Sequence, residues 1–162
     1  MYNYVGYIIL LPFIGFLING LLGKKINSEK LSGWIGSLSV GASFAIAVAI
    51  FIEMLGHPSE ERSHIVTIFS WLTAGSFSVD VAYQVDQLSI LMTLVVTGVG
   101  FLIHVYSIGY MHGDKGLWRF FAYLNLFIFM MLNLILADNF LLMFLGWEGV
   151  GLCSFLLIGF WH

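Results

Sequence analysis

Five runs of apolar residues, at about 4–22, 31–55, 88–110, 117–137 and 139–161, constrain this chain more than any other feature. A helix rises about 1.5 Å per residue, so about 20 residues cross a hydrocarbon layer about 30 Å thick. Lipid offers no partner to a backbone N–H or C=O, so each run is expected to satisfy its own backbone as a helix. Charged residues make up only 9% of the chain, against roughly 25% in soluble domains. The expected fold is an all-α membrane protein with five transmembrane helices, forming a single membrane domain over residues 1–162, with the bilayer as its solvent.

The same scarcity of charge excludes several functions. No cluster of Lys and Arg is present to follow a phosphate backbone, so nucleic acid is not an expected partner. Cys153 is the only cysteine; it offers no internal disulfide and no metal-ligand spacing, and reads as a buried, inert thiol. The seven methionines are scattered and suggest no metal site. Met1-Tyr2-Asn3-Tyr4 lacks the positive start of a signal peptide, so the first run is expected to remain as a helix. No cysteine cluster, haem-like histidine pair or glycine-rich phosphate loop is present, so no redox cofactor is expected in this chain.

Between the second and third runs the pattern changes. His57-Pro58-Ser59-Glu60-Glu61-Arg62 is too polar for hydrocarbon. From Ser76 to Val85, apolar Phe77, Val79, Val81, Tyr83 and Val85 alternate with Ser76, Ser78, Asp80, Ala82 and Gln84, the period-two signature of a half-buried strand. His64 to Trp71 is a second β-branched run, and Thr73-Ala74-Gly75 supplies a turn. A β-hairpin at about 64–85 is expected to lie over the helix ends on one membrane face. Gly33, Ser37 and Gly41 form a small-residue stripe suited to close helix packing. Asp86 and Asp138, at helix starts, read as caps, although Asp138 also suits a proton-gathering exit. Glu53 is expected to reach the interface, and Asn125 and Asn133 to donate hydrogen bonds between helices.

Lys24, Lys25, Lys30, Lys115 and Arg119 fall on one side of a five-span arrangement and Arg62 alone on the other. Basic loops stay in the cytoplasm or matrix. The N-terminus, the hairpin and Asp138 are therefore expected on the opposite, periplasmic side.

Glu148 is the only ionisable side chain between Phe140 and Trp161. It lies roughly 13 Å along the helix from Asn139, near the middle of the hydrocarbon. Intramembrane carboxylates are functional by default and usually meet a partner charge or water; the alternative is a hydrogen-bonded tie between helices. Burial favours the protonated form of a carboxyl and a nearby cation the ionised form, so a moving cation turns such a group into a proton carrier. The runs contain no lysine, and Arg119 reads as a topology anchor, so the partner is expected from further sequence or another chain. Gly146, Gly149 and Gly151 are expected to let a helix or water approach the carboxyl, and Trp147 to pack. His104, nearer the basic end of the third run, suits a proton relay or a neutral hydrogen-bonded histidine. An apolar run that stops at His162 with no basic flank is expected to continue.

Three short segments together resemble a known family. These are Val85-Asp86-Gln87-Leu88-Ser89, Leu102-Ile103-His104-Val105-Tyr106-Ser107-Ile108-Gly109-Tyr110-Met111 and Arg119-Phe120-Phe121-Ala122-Tyr123-Leu124. With Asn139 and Gly146-Trp147-Glu148-Gly149-Val150-Gly151-Leu152-Cys153-Ser154-Phe155, the chain is similar to the N-terminal part of the large antiporter-like subunit of proton-pumping NADH:quinone oxidoreductase. The resemblance implies a piece of a proton-translocating subunit, with Glu148 paired to a lysine on a later helix; it carries no role over to His104. It further implies other membrane subunits as partners, which carry NADH, FMN, iron–sulfur clusters and quinone. The location it implies is the bacterial inner membrane or its mitochondrial counterpart. Cation/proton antiporter subunits share the Gly-Trp-Glu-Gly-Val-Gly block and, with membrane hydrogenases, remain the alternative; a purely structural scaffold is a third reading.

Overall fold

Caps decide where the membrane helices start. In the computed structural model, which describes residues 2–26, 28–75 and 77–161 apart from the side chains of Ser59, Ala74 and Phe77, all five runs are helical. Helix α1 (Val5–Leu17) follows a 3-10 turn at Tyr2–Tyr4 and continues through a wider π turn, Ile18–Leu22, into Gly23–Ile26. Helix α2 (Glu29–Leu55) starts two residues before the expected boundary, because the Ser28 hydroxyl accepts from the Leu31 N–H at 3.4 Å. Helix α3 (Gln87–Tyr110) opens on Asp86, whose carboxylate accepts from Ser89 N at 2.7 Å while the Ser89 hydroxyl accepts from Asp86 N at 2.8 Å. This reciprocal box is the capping role expected for Asp86. Helices α4 (Leu117–Leu136) and α5 (Phe140–Ile158) follow. The cap of α5 is Asn139, accepting from Leu142 N at 3.0 Å, so capping does not explain Asp138. Met1, Asn27, Ser76 and His162 lie outside the described residues.

Helices gain little by burying apolar side chains against one another in lipid, so small residues that allow close approach matter most. The Gly33–Ser37–Gly41 stripe of α2 meets α3 as expected. A methyl at Gly33 would lie 2.8 Å from Ile108 Cγ1, and one at Gly41 2.9 Å from Phe101 Cε2. Gly98 answers from α3, with Phe44 Cε2 2.9 Å from the same probe position. Val5, Ile8, Val40, Ala47, Ile50, Ile90, Leu132 and Leu136 fill the centre. Helices α1 to α4 surround this centre, and α5 leans mainly on α4.

The hairpin forms over 64–85 as expected, with its first strand running on to Ala74. Strand β1 (His64–Ala74) pairs antiparallel with β2 (Phe77–Val85), and Gly75 turns the chain at φ +63°. Register shifts fall at Thr67/Phe69 and Ser70/Leu72. The alternation along β2 is only partly kept: Val79, Tyr83 and Val85 are buried, but so is Ala82. The reason is a short antiparallel pairing of β2 with the link between α4 and α5. Tyr83 bridges Ala137, Asp138 N donates to Ala82 O at 3.0 Å, and Asn139 Nδ2 donates to Asp80 O at 2.8 Å. The hairpin thus caps the α4–α5 turn.

Asn125 and Asn133 are acceptors across elements rather than donors. Asn125 Oδ1 accepts from the Ser39 hydroxyl at 2.7 Å and Asn133 Oδ1 from the Tyr83 phenol at 2.7 Å. Their Nδ2 groups donate instead to carbonyls one turn back, Phe121 O and Phe129 O. Burial pushes the Tyr83 phenol up to about 12, so it remains a donor at neutral pH. Tyr83→Phe leaves Asn133 Oδ1 a buried acceptor without its donor, a loss of about 1–3 kcal/mol. A lowered thermal midpoint in detergent, with Tyr4→Phe (52% exposed) unchanged as control, checks this.

Candidate functional site

Glu148 lies on the outward face of α5. Along that helix only Leu142, Gly146, Gly149 and Cys153 are buried, a stripe at helical spacing that faces α4. Glu148 is exposed beside Trp147 at 68%, Phe144 at 61% and Phe155 at 74% exposure. Trp147 therefore does not pack within the bundle. Among the described residues no side chain hydrogen-bonds or ion-pairs with Glu148, and the five spans contain no lysine apart from Lys24, Lys25 and Lys30 near helix ends.

The glycines around it act on the opposite face from the one anticipated. A methyl at Gly146 would sit 2.6 Å from Leu134 N and 2.8 Å from Leu134 Cα, and one at Gly149 would overlap the Met130 thioether. Gly146 lets α5 lie directly on the backbone of α4, and Gly149 makes room for the Met130 side chain. Gly151 has nothing within 4 Å of such a methyl. The glycines thus set the seat of the helix, and the seat turns Glu148 outward.

A second set of polar groups lies inside the bundle. His104 is 1% exposed, and its Nδ1 lies 2.7 Å from Gly100 O. A carbonyl only accepts, so Nδ1 carries the proton; Nε2 is buried without a partner. Asn19, in the π turn of α1, is fully buried and donates through Nδ2 to Ser32 O at 3.1 Å. Ser39 and Asn125 complete the set, and the Ser43 hydroxyl donates to Ile8 O at 2.8 Å. The spacing of α3 signalled His104; nothing in the sequence marked Asn19 as more than one polar residue in an apolar run.

The basic loops meet at one end of the bundle, as the charge count expected. His112 Nδ1 lies 2.8 Å from Glu29 Oε2, and Gly113 N donates to the same oxygen at 3.2 Å. An open cleft of about 680 Å³ lies here, lined in part by Lys24, Lys115, Glu29, Asp114 and Ser32. Arg119 places its guanidinium 4.9 Å from the Phe160 ring centre, and Trp161 Nε1 donates to Asp114 Oδ2 at 3.0 Å. The Trp161 and Gly116 N–H groups hold the Asp114 carboxyl below its usual range. At the hairpin end a smaller cleft of about 440 Å³ is lined by Asp80, Asp138 and Asn139, among others. Among the described residues no group of three His, Cys, Asp or Glu side chains is placed to hold a metal.

Comparison with known proteins gives a consistent likeness. Residues 71–121 match the family described as NADH-ubiquinone oxidoreductase (complex I), chain 5 N-terminus. Residues 137–162 match that described as NADH:quinone oxidoreductase/Mrp antiporter, TM. The chain is 46% identical over 160 residues to NADH-quinone oxidoreductase subunit L of Escherichia coli (strain K12), covering 99% of this chain and 26% of that protein. It is 42% identical to subunit L of Mycobacterium tuberculosis (strain ATCC 25618 / H37Rv), covering 99% and 25%. To NADH-ubiquinone oxidoreductase chain 5 of Hypocrea jecorina it is 42% identical, covering 95% and 22%. The chain thus spans about a quarter of the length of the curated relatives it matches. Among solved structures, the Mrp complex from Dietzia sp. DQ12-45-1b superposes with a TM-score of 0.74 at 26% identity, over 95% of this chain and 16% of that one. A membrane-bound sulfane sulfur reductase shares the fold, with a TM-score of 0.71 at 18% identity, over 93% and 22%. The resemblance to the antiporter-like subunit of NADH:quinone oxidoreductase read from the sequence is borne out along nearly the whole chain.

Two measurements follow from this geometry. Gly146→Val must push α5 off the α4 backbone, and overpacking of this kind costs about 1–3 kcal/mol; Gly151→Val, with open space, is expected near neutral. Thermal unfolding of both variants in detergent compares them. Asp114 has a folded-state pKa below its unfolded value of about 3.9. Its stabilisation is complete above pH about 3.9 and is lost as the pH falls through the folded value. Acid titration of the thermal midpoint is expected to be steeper in wild type than in Asp114→Asn.

Proposed function

We propose that this chain carries the carboxyl half of a proton-transferring pair in an antiporter-like membrane subunit of the NADH:quinone oxidoreductase type, with Glu148 as the proton carrier. The observation that carries the reading is the outward, partnerless placement of Glu148 near mid-depth on a helix seated by glycines. A carboxylate facing lipid costs at least about 2.5–3.5 kcal/mol. Further protein therefore covers this face and supplies a cation, and relatives some four times as long have the sequence to do so. Approach of that cation releases the proton; its withdrawal favours uptake.

The basic end, with Lys24, Lys25, Lys30, Lys115 and Arg119, is assigned to the cytoplasm or matrix by the positive-inside rule. The N-terminus and the hairpin then face the periplasm or its mitochondrial equivalent. The partners are other membrane subunits, and NADH, FMN, iron–sulfur clusters and quinone belong to subunits elsewhere in the complex. The chain carries no redox step; it takes part in an enzyme through proton movement. The likeness to the Mrp structure supports a second reading, a subunit of a cation/proton antiporter.

The test is Glu148→Gln in the full-length subunit within its assembled complex, in inverted membrane vesicles. Proton transfer is expected to slow on the order of a hundredfold, the low end for a positioned proton carrier. NADH oxidation by an artificial acceptor is expected to stay unchanged. Undiminished NADH-driven acidification in an assembled variant removes the proposal. Acidification driven by a sodium gradient in place of NADH selects the antiporter reading.

A further inference from the structure

His104 and Asn19 lie in one layer of the bundle, on different helices. Along the antiparallel α2–α3 contact, Gly33 faces Ile108 and Val40 lies near Gly100. Position 104, midway between 100 and 108, is therefore opposite 36–37. At Gly36 a methyl would meet Asn125 Nδ2 at 2.7 Å, Phe121 Cδ1 at 2.8 Å and Asn19 Nδ2 at 3.3 Å. The Phe121 ring is in turn 6.0 Å from the His104 ring. Asn19 of the π turn and Asn125 and Phe121 of α4 thus gather around a glycine of α2, and His104 of α3 joins them through the Phe121 ring.

Among the described residues, two acceptors in this layer have no donor. His104 Nε2 carries a lone pair because Nδ1–H is committed to Gly100 O, and Asn19 Oδ1 points away from Ser32 O, to which its Nδ2 donates. Both atoms are buried and unpartnered. Two acceptors cannot satisfy each other. The hydroxyls of Ser37 and Ser39 on this stretch of α2 are already engaged, Ser37 with Gly33 O and Ser39 with Gly36 O and Asn125 Oδ1. No further helix can reach either atom, since His104 is 1% exposed and Asn19 not at all. An unmet buried acceptor costs about 1–3 kcal/mol, and the usual remedy is internal water.

We propose that this layer is an internal water site, in which water donates one O–H to His104 Nε2 and the other to Asn19 Oδ1. The route in runs from the basic-end cleft, whose wall includes Ser32, the residue that holds Asn19. The π turn at Ile18–Leu22 places Asn19 at the inner end of that route, in keeping with the frequency of such turns at functional sites. His104 ends the route rather than passing it on, because its second nitrogen is tied to its own helix. The site is separate from Glu148 and does not depend on its role.

The test is a structure of the full-length subunit in its complex at a resolution that shows ordered water. Density within hydrogen-bonding distance of both His104 Nε2 and Asn19 Oδ1 is expected. A dry layer, water at only one of the two atoms, or a protein donor on either overturns the proposal. Thermal unfolding supplies a second measurement. Asn19→Leu and His104→Phe each strand the remaining acceptor, so the double variant is expected to lose less than the sum of the singles; additive losses count against the bridge. Loss of pumping in Glu148→Gln bears on the proton carrier alone and leaves this site untouched.

Discussion

In hydrocarbon, a helix gains almost nothing by exchanging lipid for another apolar surface, so the bundle depends on how closely its backbones approach. Two pairings of this kind set the arrangement. Gly33 and Gly41 bring α2 against α3, and Gly146 and Gly149 bring α5 onto α4. Each leaves room for a neighbouring atom within about 3 Å of where a methyl would be. The polar pairs then act as pins: Ser39 to Asn125 between α2 and α4, and Tyr83 to Asn133 between the hairpin and α4. Helix α4 is the common member of these pairs, and it is also the helix that supports Glu148.

Much of this was legible in the residues. Membrane helices are written in long apolar runs, and the caps Ser28, Asp86 and Asn139 fall within a few residues of where those runs begin. The hairpin was visible because alternation at period two differs sharply from the flanking runs. Less legible were relations across the fold. The burial of Ala82 depends on pairing with Ala137 and Asp138, more than fifty residues away, and no local pattern encodes it. The direction of the Asn125 and Asn133 bonds follows from each Nδ2 donating to a carbonyl one turn back, which leaves the oxygen to reach across.

The site shows the same division. A lone carboxylate in an apolar run is conspicuous in sequence, and so are the glycines beside it. Which side of the helix each faces is not, because a run that is apolar all round has little amphipathic signal to orient it. The structure resolves this through close contact: Gly146 and Gly149 toward α4, carboxylate away from it. Asn19 was harder to value, since its importance lies in an oxygen left without a donor once its nitrogen has reached Ser32.

The pairing of β2 with the α4–α5 link has a mechanical consequence. Helix α5 is fastened at its start through Asp138 and Asn139 to the hairpin. Just beyond its last residue, Phe160 packs beneath Arg119 and Trp161 is bonded to Asp114. A rod clamped at both ends does not slide along its axis. Glu148 is thereby held in register with both ends of the bundle, the hairpin at one and the α3–α4 loop at the other.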